Sequence, residues 1–284
     1  MFINTANFFI STNILLFLLL LNNFSNGYVF TGKKALVTGS SGGIGAEIAK
    51  ELAKKGCRVM IHYNSRYEGA KATQKCILDN DNICNEWDGE IDILVNNAGL
   101  ITKLAAEDED DDFTSWMDTI QVNLNAPYQL SKLAYDRMKK KKHGNIINVS
   151  SIHGSVSCEY MVAYASSKAA LDRMTAGLSS EWARNGVRVN SLAPGIVPVE
   201  RTQDILSQQS IQDLWHPHLP VGRMGTTQEC AHAVVYLLEN EWTSGSILTL
   251  DGGMTARINM PFRPKPEPQG KEKESITKGA SFEK

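Results

Sequence analysis

Apolar positions along the chain follow two rhythms that take turns. Compact apolar runs bounded by Gly, Asn or Pro cover 35–38, 57–63, 91–97, 145–150, 187–192 and 246–250, and they read as short strands. Between them apolar residues recur at helical spacing. Ile44, Ile48, Ala49 and Leu52 give one stripe over 44–55, and Trp116, Ile120, Leu124, Tyr128 and Leu130 give a broader one over 115–139. Leu171, Met174, Leu178 and Trp182 give a third over 164–184, a stripe that suits either core or a subunit interface. A further helix begins at Thr226, where Glu229 completes a capping box. Strand and helix in strict alternation predict an α/β chain: a doubly wound parallel sheet with helices on both faces, in a single domain over 33–256.

The pattern lapses in several places. Between Tyr63 and Ile91 a sheet of this kind normally carries helix, strand and helix, yet two crossovers of about 10–12 residues and a strand barely fit. The third strand, around 82–85, is therefore expected to be vestigial, or that edge of the sheet to be missing. Residues 196–225 show no periodicity and read as a long loop of the lid or disordered kind. The acidic run 107–112 (EDEDDD) lacks the spacers of a calcium loop and reads as solvated. Asn123 stands inside an apolar helix, so its amide is either exposed or engaged in the interior. Lys139–Lys142 close that helix, where cations suit the dipole.

The ends differ from the middle. Residues 1–32 form an apolar leader without a charged side chain, and 14–21 (ILLFLLLL) matches a signal-peptide core in length but lacks a basic flank and a clear cleavage site. Two readings stand side by side: a signal peptide or anchor leading into the secretory pathway or an organelle, or a cytoplasmic protein with an unstructured extension. Contact with a membrane would come only through that leader. The tail 257–284 is rich in proline and charge and is expected to be disordered.

Composition narrows the classes. With 284 residues, 42% hydrophobic, and a net charge of −2, the chain can bury a large core and offers no electrostatic footprint for nucleic acid. The cysteines Cys57, Cys76, Cys84, Cys158 and Cys230 are odd in number and scattered, which predicts free thiols rather than a disulfide framework or a zinc site. His216 and His218 flank a proline with no third ligand in view, so no metal is expected.

Two stretches carry candidate chemistry. ALVTGSSGGIGAEIAKEL, from Ala35 to Leu52, runs strand, glycine turn, helix, which aims backbone N–H groups at a helix amino end where a pyrophosphate can sit. The following strand ends in Asn64, Ser65 and Arg66, with no carboxylate to hold a ribose 2′-hydroxyl and a cation where a 2′-phosphate would lie. The second stretch is SSIHGSVSCEYMVAYASSK, from Ser150 to Lys168. Tyr164 and Lys168 stand one helical turn apart, and an ammonium nearby favours the phenolate of a group whose free pKa is about 10. Ser151, at the end of a strand, can reach the same spot, whereas Ser150 points to the opposite face. Tyr160 has no lysine four positions on.

In these motifs the chain resembles the short-chain dehydrogenase/reductase family. TGSSGGIG (38–45), NNAG (96–99), VNLNA (122–126), INVSS, YASSK and VNSLAPG appear in family order across about 33–256. The resemblance implies a Rossmann-like fold and hydride transfer between a nicotinamide coenzyme and a carbonyl or secondary alcohol. Tyr164 would be the general acid/base, Lys168 would lower its pKa and bind the nicotinamide ribose, Ser151 would bind the substrate oxygen, and Asn123 would hold a water in the proton relay. The coenzyme would lie against Gly39, Ser41, Gly43, Ile44 and Gly45, then Asn64, Ser65 and Arg66, then Asn97, Ala98 and Gly99, and finally Pro194, Gly195 and Val197, with Tyr164 and Lys168 at its reactive end. Arg66 and the missing carboxylate favour NADP(H) over NAD(H), although the turn carries Gly42 where NADP-preferring members often have a basic residue. The resemblance also implies a homodimer or homotetramer acting on a small carbonyl or alcohol, with 3-oxoacyl thioester reductases and sugar dehydrogenases as the nearest branches. The shortened 64–90 region leaves a second reading, a non-catalytic relative that keeps the pocket and serves as a structural or regulatory partner.

Overall fold

The computed structural model describes residues 29–78, 89–101 and 113–257. Six parallel strands form its centre, in the order β2-β1-β3-β4-β5-β6. They are β1 (Lys34–Val37), β2 (Arg58–Ile61), β3 (Ile93–Asn96), β4 (Gly144–Val149), β5 (Val187–Pro194) and β6 (Ile247–Leu250). The chain steps outward from β1 to β2 and then returns to the other side of β1 for β3, so a crevice opens between β1 and β3 at the carboxyl edge. Among the described residues β2 is the edge strand on the side of β1, and β6 is the edge strand on the other. The stretch expected to hold a vestigial third strand, 82–85, lies outside them, as do the acidic run 107–112, most of the leader and nearly all of the tail.

Side chains alternate across the strands, and that alternation builds a core on each face. Val37, Val95, Ile147 and Leu192 pack with Ile48 and Leu52 of α1 (Gly43–Lys54) and with Val234 and Leu237 of α8 (Thr227–Glu239). On the opposite face Leu94, Ile146 and Val189 pack with Met138 of α4 (Ala126–Lys141) and with Leu178 and Trp182 of α5 (Val162–Trp182). Trp182 stacks on Tyr135 at 4.2 Å between ring centroids. The α5 stripe is thus core, since Leu171, Leu178 and Trp182 are buried, and it is not a free interface. Packing also begins ahead of Lys33: Phe30 is buried, and its N–H donates to Lys55 O at 3.0 Å.

Several expectations need correction. The single helix over 115–139 is α3 (Thr114–Ile120) and α4 joined by a π-helical turn at Gln121–Asn125, which swings Asn123 inward. Residues 196–225 are not an unstructured loop, for they contain α6 (Glu200–Leu206), α7 (Gln209–Trp215) and a 3-10 turn at His216–His218. These helices are short and exposed, so their sequences carry no apolar stripe for periodicity to reveal. α2 (Tyr67–Leu78) follows β2. Expected and observed boundaries meet at α8, where Thr226 Oγ1 accepts from Glu229 N at 3.2 Å and Glu229 Oε2 accepts from Thr226 N at 2.9 Å. Lys141 reaches Asp92 at 3.0 Å and Glu90 at 3.1 Å, so part of the lysine cluster ties α4 to the foot of β3.

Candidate active site

The carboxyl ends of β1, β3, β4 and β5 surround a cavity of about 680 Å³. Gly39, Ser41, Gly43 and Ile44 of the turn line it, with Asn64, Ser65 and Arg66 beyond β2, Asn97, Ala98 and Gly99 beyond β3, and Pro194, Gly195 and Val197 beyond β5. Ser151, Tyr164 and Lys168 close the opposite end. Residues far apart in sequence therefore converge on one crevice.

Two predicted site residues do not line it. Gly45 lies beneath the turn, where an added Cβ would collide with Asn97 Nδ2 and meet Gly39 O at 2.6 Å, so its lack of a side chain serves close helix–strand packing. Asn123 is fully buried. Its Oδ1 accepts from Leu100 N at 2.8 Å, while Nδ2 donates to Leu100 O at 2.9 Å and Ser167 Oγ at 3.0 Å. Of the two alternatives for this amide, exposed or engaged in the interior, the structure shows the second: both its N–H bonds are committed to the protein, which leaves one lone pair on Oδ1. Asn97 is similarly engaged, donating to Thr38 O at 2.9 Å and Gly39 O at 3.2 Å, and so braces the glycine turn.

The reactive side chains are buried. Tyr164 is buried at the start of α5, its ring edge-on to His153 at 5.9 Å. Lys168 Nζ lies 5.6 Å from the Tyr164 ring centre and donates to Val149 O at 2.9 Å. Burial pushes the Tyr164 hydroxyl above its ordinary value, with the Ser151 side chain and the charge of Arg201 acting in the opposite sense. Burial likewise pushes the Lys168 ammonium down to about 8, against the pull of Asp172. The phenol therefore shifts opposite to the direction expected from spacing: its burial dominates, and the groups that draw it down are Ser151 and Arg201 rather than Lys168. Asp172 accepts from Ser191 Oγ at 2.8 Å. Ser150, expected to point away from Ser151, instead borders the same cavity and donates to Lys168 O at 3.4 Å. Tyr160 is exposed.

Sequence reasoning did not find Leu100, Ile101, Val122, Val199, Glu200, Arg201 and Thr202, all of which line the cavity. The last four lie on the segment that seemed patternless, and no local signal marks them.

A pH signature follows from Lys168. An unfolded lysine titrates near 10.4 but the folded one near 8, so the penalty of burying the cation is fully present below about pH 8 and relieved as pH rises toward 10. Stability of the protein alone should therefore climb over that window, and Lys168→Met should lack the slope and gain up to about 3 kcal/mol at pH 7. Thermal denaturation of both proteins from pH 7 to 10 checks this, and parallel curves would refute it.

The comparisons with known proteins agree with the site. Residues 33–84 match the family description "short chain dehydrogenase", and residues 80–255 match "Enoyl-(Acyl carrier protein) reductase". The 3-oxoacyl-(acyl-carrier-protein) reductase FabG of Escherichia coli (strain K12) is 36% identical over 247 residues, covering 79% of this chain and 98% of that one. The gluconate 5-dehydrogenase of Gluconobacter oxydans (strain 621H) is 29% identical over 254 residues, covering 81% and 98%. Among solved structures, a gluconate 5-dehydrogenase from Burkholderia cenocepacia J2315 in complex with NADP and tartrate superposes with a TM-score of 0.72 at 28% identity, covering 82% of this chain and 98% of that one. The acetoin dehydrogenase YohF from Salmonella typhimurium gives a TM-score of 0.72 at 28% identity, covering 81% and 98%.

The chain belongs to the short-chain dehydrogenase/reductase family. It is an oxidoreductase that moves a hydride between a nicotinamide coenzyme and the carbonyl or alcohol carbon of a small molecule, and nothing in the site favours the non-catalytic reading.

Proposed function

We propose that the protein is an NADP(H)-dependent carbonyl reductase/alcohol dehydrogenase in which Tyr164, Lys168, Ser151 and Asn123 do the proton chemistry. The observation that carries this reading is the cavity bordered at one end by the glycine turn and Arg66 and at the other by Ser151, Tyr164 and Lys168. The residues fit a dinucleotide: the turn presents the Gly43 N–H to an anionic oxygen, here a carboxylate of the chain itself, and Arg66 stands beside it. Gly39, Ser41, Gly43 and Ile44 would hold the pyrophosphate, Asn64, Ser65 and Arg66 the 2′-phosphate, and Asn97 to Gly99 with Pro194, Gly195 and Val197 the inner half. When bound, the coenzyme supplies or accepts the hydride.

The chain's own groups handle the proton. In reduction the substrate carbonyl accepts hydrogen bonds from Ser151 Oγ and Tyr164 Oη, which draw charge onto its oxygen. As the C=O π bond gives way to the new C–H bond, Tyr164 Oη gives its proton to the nascent alkoxide. The phenolate left behind lies near the Lys168 ammonium and is reprotonated from solvent, with Asn123 Oδ1 offering the remaining acceptor for a water on the way. Oxidation runs the same steps backward.

The relatives support substrates of two kinds, 3-oxoacyl thioesters and sugar acids, and both belong in the assay panel with small ketones. The NADP-bound neighbours and Arg66 support NADP(H). Arg66→Gln is expected to weaken NADPH about 10- to 100-fold, the size of a lost charge-assisted hydrogen bond, and to leave NADH nearly unchanged. Fluorescence titration of both nucleotides measures this, and equal losses would contradict the assignment of the 2′-phosphate. A homodimer or homotetramer completes the proposal, supported by the exposed Trp116, Met117, Tyr128 and Leu133 on α3 and α4.

A further inference from the structure

Glu200 opens α6, and its carboxylate reaches a turn 157 positions earlier in the chain. Both oxygens accept from the Gly43 N–H, at 3.0 and 2.7 Å. The same side chain stands 3.9 Å from Arg66 Nη1, with both partners about half exposed. An ion pair that open to water adds little to stability. Its position is what matters, because Glu200 meets both the Gly43 N–H and Arg66, the two groups assigned above to the coenzyme's anions. A Cβ built on Gly42 would meet Arg66 Nη1 at 2.6 Å and Glu200 Oε2 at 3.1 Å, so both side chains lie directly over the turn. Burial alone would lift the pKa of Glu200, but the Gly43 N–H, its own N–H, Arg66 and Lys50 together hold it below the usual carboxylate range, so the group is an anion at neutral pH.

A phosphate and a carboxylate cannot share the Gly43 N–H, since two anions at hydrogen-bond distance repel and compete for one donor. We propose that Glu200 is an internal competing anion that occupies the phosphate seat of the glycine turn, and that dinucleotide binding displaces it and frees the α6 segment. The inference rests on the coenzyme reading given above. Arg201 and Thr202, the next two residues of α6, line the same cavity, and the charge of Arg201 acts on the Tyr164 hydroxyl, so displacement of Glu200 shifts a part of the wall that the reactive end senses. The cost of displacement enters as a lowered apparent affinity for any dinucleotide.

The test uses the full chain, with NADPH as the probe. Glu200→Gln replaces a charge-assisted contact by a neutral one and is expected to tighten NADPH about five- to tenfold by fluorescence titration. Glu200→Asp keeps the charge but shortens the arm by one methylene, and it is expected to tighten NADPH as well. Hydrogen exchange over 200–206 supplies a second readout: NADPH should speed exchange there in the unaltered protein, whereas Glu200→Gln should show the faster exchange before nucleotide is added. Tightening by Gln but not by Asp would reduce the effect to the general field of one negative charge and overturn the proposal. Equal affinities for all proteins would also overturn it while leaving the coenzyme reading intact. If neither the unaltered protein nor either variant binds NADPH, the coenzyme reading fails and takes the inference with it.

Discussion

Tyr164→Phe is expected to lower turnover of a carbonyl substrate about 10²- to 10⁴-fold while NADPH affinity stays within about threefold, as befits loss of a positioned general acid. The substitution removes one oxygen and leaves the ring, which is buried at the head of α5 with its contact to His153 intact. Folding should therefore be unaffected, and the loss should fall on the chemical step. Burial raises the pKa of this phenol, so at neutral pH it carries its proton and is ready to donate in the reductive direction. In the oxidative direction the same burial is a handicap, and the rate should rise with pH until the tyrosine ionises. Steady-state kinetics from pH 6 to 10, with thermal denaturation as the control for folding, measure both effects. Turnover retained in the phenylalanine variant would move the acid role to another group.

Local chemistry makes much of this site legible in the sequence. A glycine turn between a strand and a helix, an alternating apolar pattern and a Tyr-x-x-x-Lys pair each draw on residues close together in the chain, where spacing translates directly into geometry. Parallel strand order then brings Asn96–Gly99, Ser151 and Pro194–Gly195 to one edge, because each lies at or just past a strand's carboxyl end. What spacing could not supply is anything set by contacts between distant segments. The contact between Glu200 and Gly43 spans 157 positions, and nothing near Glu200 announces a partner. Helices α6 and α7 bury no side chain fully, so the apolar periodicity that marks a packed helix is absent from their sequences. The coupling of Tyr164 and Lys168 also came out differently from its expectation. Distance along a helix gives proximity, but the pKa of each group depends on how much water the rest of the fold removes. Asn96 illustrates the same limit, since its Nδ2 donates to Asn148 Oδ1 at 2.8 Å and Ser131 Oγ at 3.1 Å inside the core, a polar layer that no motif discloses.

The π-helical turn at Gln121–Asn125 gives Asn123 a role in the architecture that can be separated from catalysis. One extra residue in the turn points a polar side chain into the interior, where it fastens the Leu100 backbone to α5 through Ser167. Asn123→Asp keeps the size but replaces an NH₂ by an oxygen, so Leu100 O and Ser167 Oγ each lose a donor and a carboxylate enters a fully buried site. Each buried group left unsatisfied costs about 1–3 kcal/mol, so the variant should lose several kcal/mol of stability at pH 8. Burial raises the pKa of such a carboxyl above its unfolded value, and the protonated form can again donate to Leu100 O. The folded state then binds the proton more tightly than the unfolded state, so stability should be partly recovered as pH falls and lost again as pH rises through the folded pKa. Denaturant unfolding of Asn123→Asp against the unaltered protein at pH 5 and pH 8 reads this directly. The gap between the two proteins should be narrower at pH 5. A gap that stays constant, or that widens on acidification, would mean that Leu100 O and Ser167 find other donors and that the buried amide is dispensable to the fold.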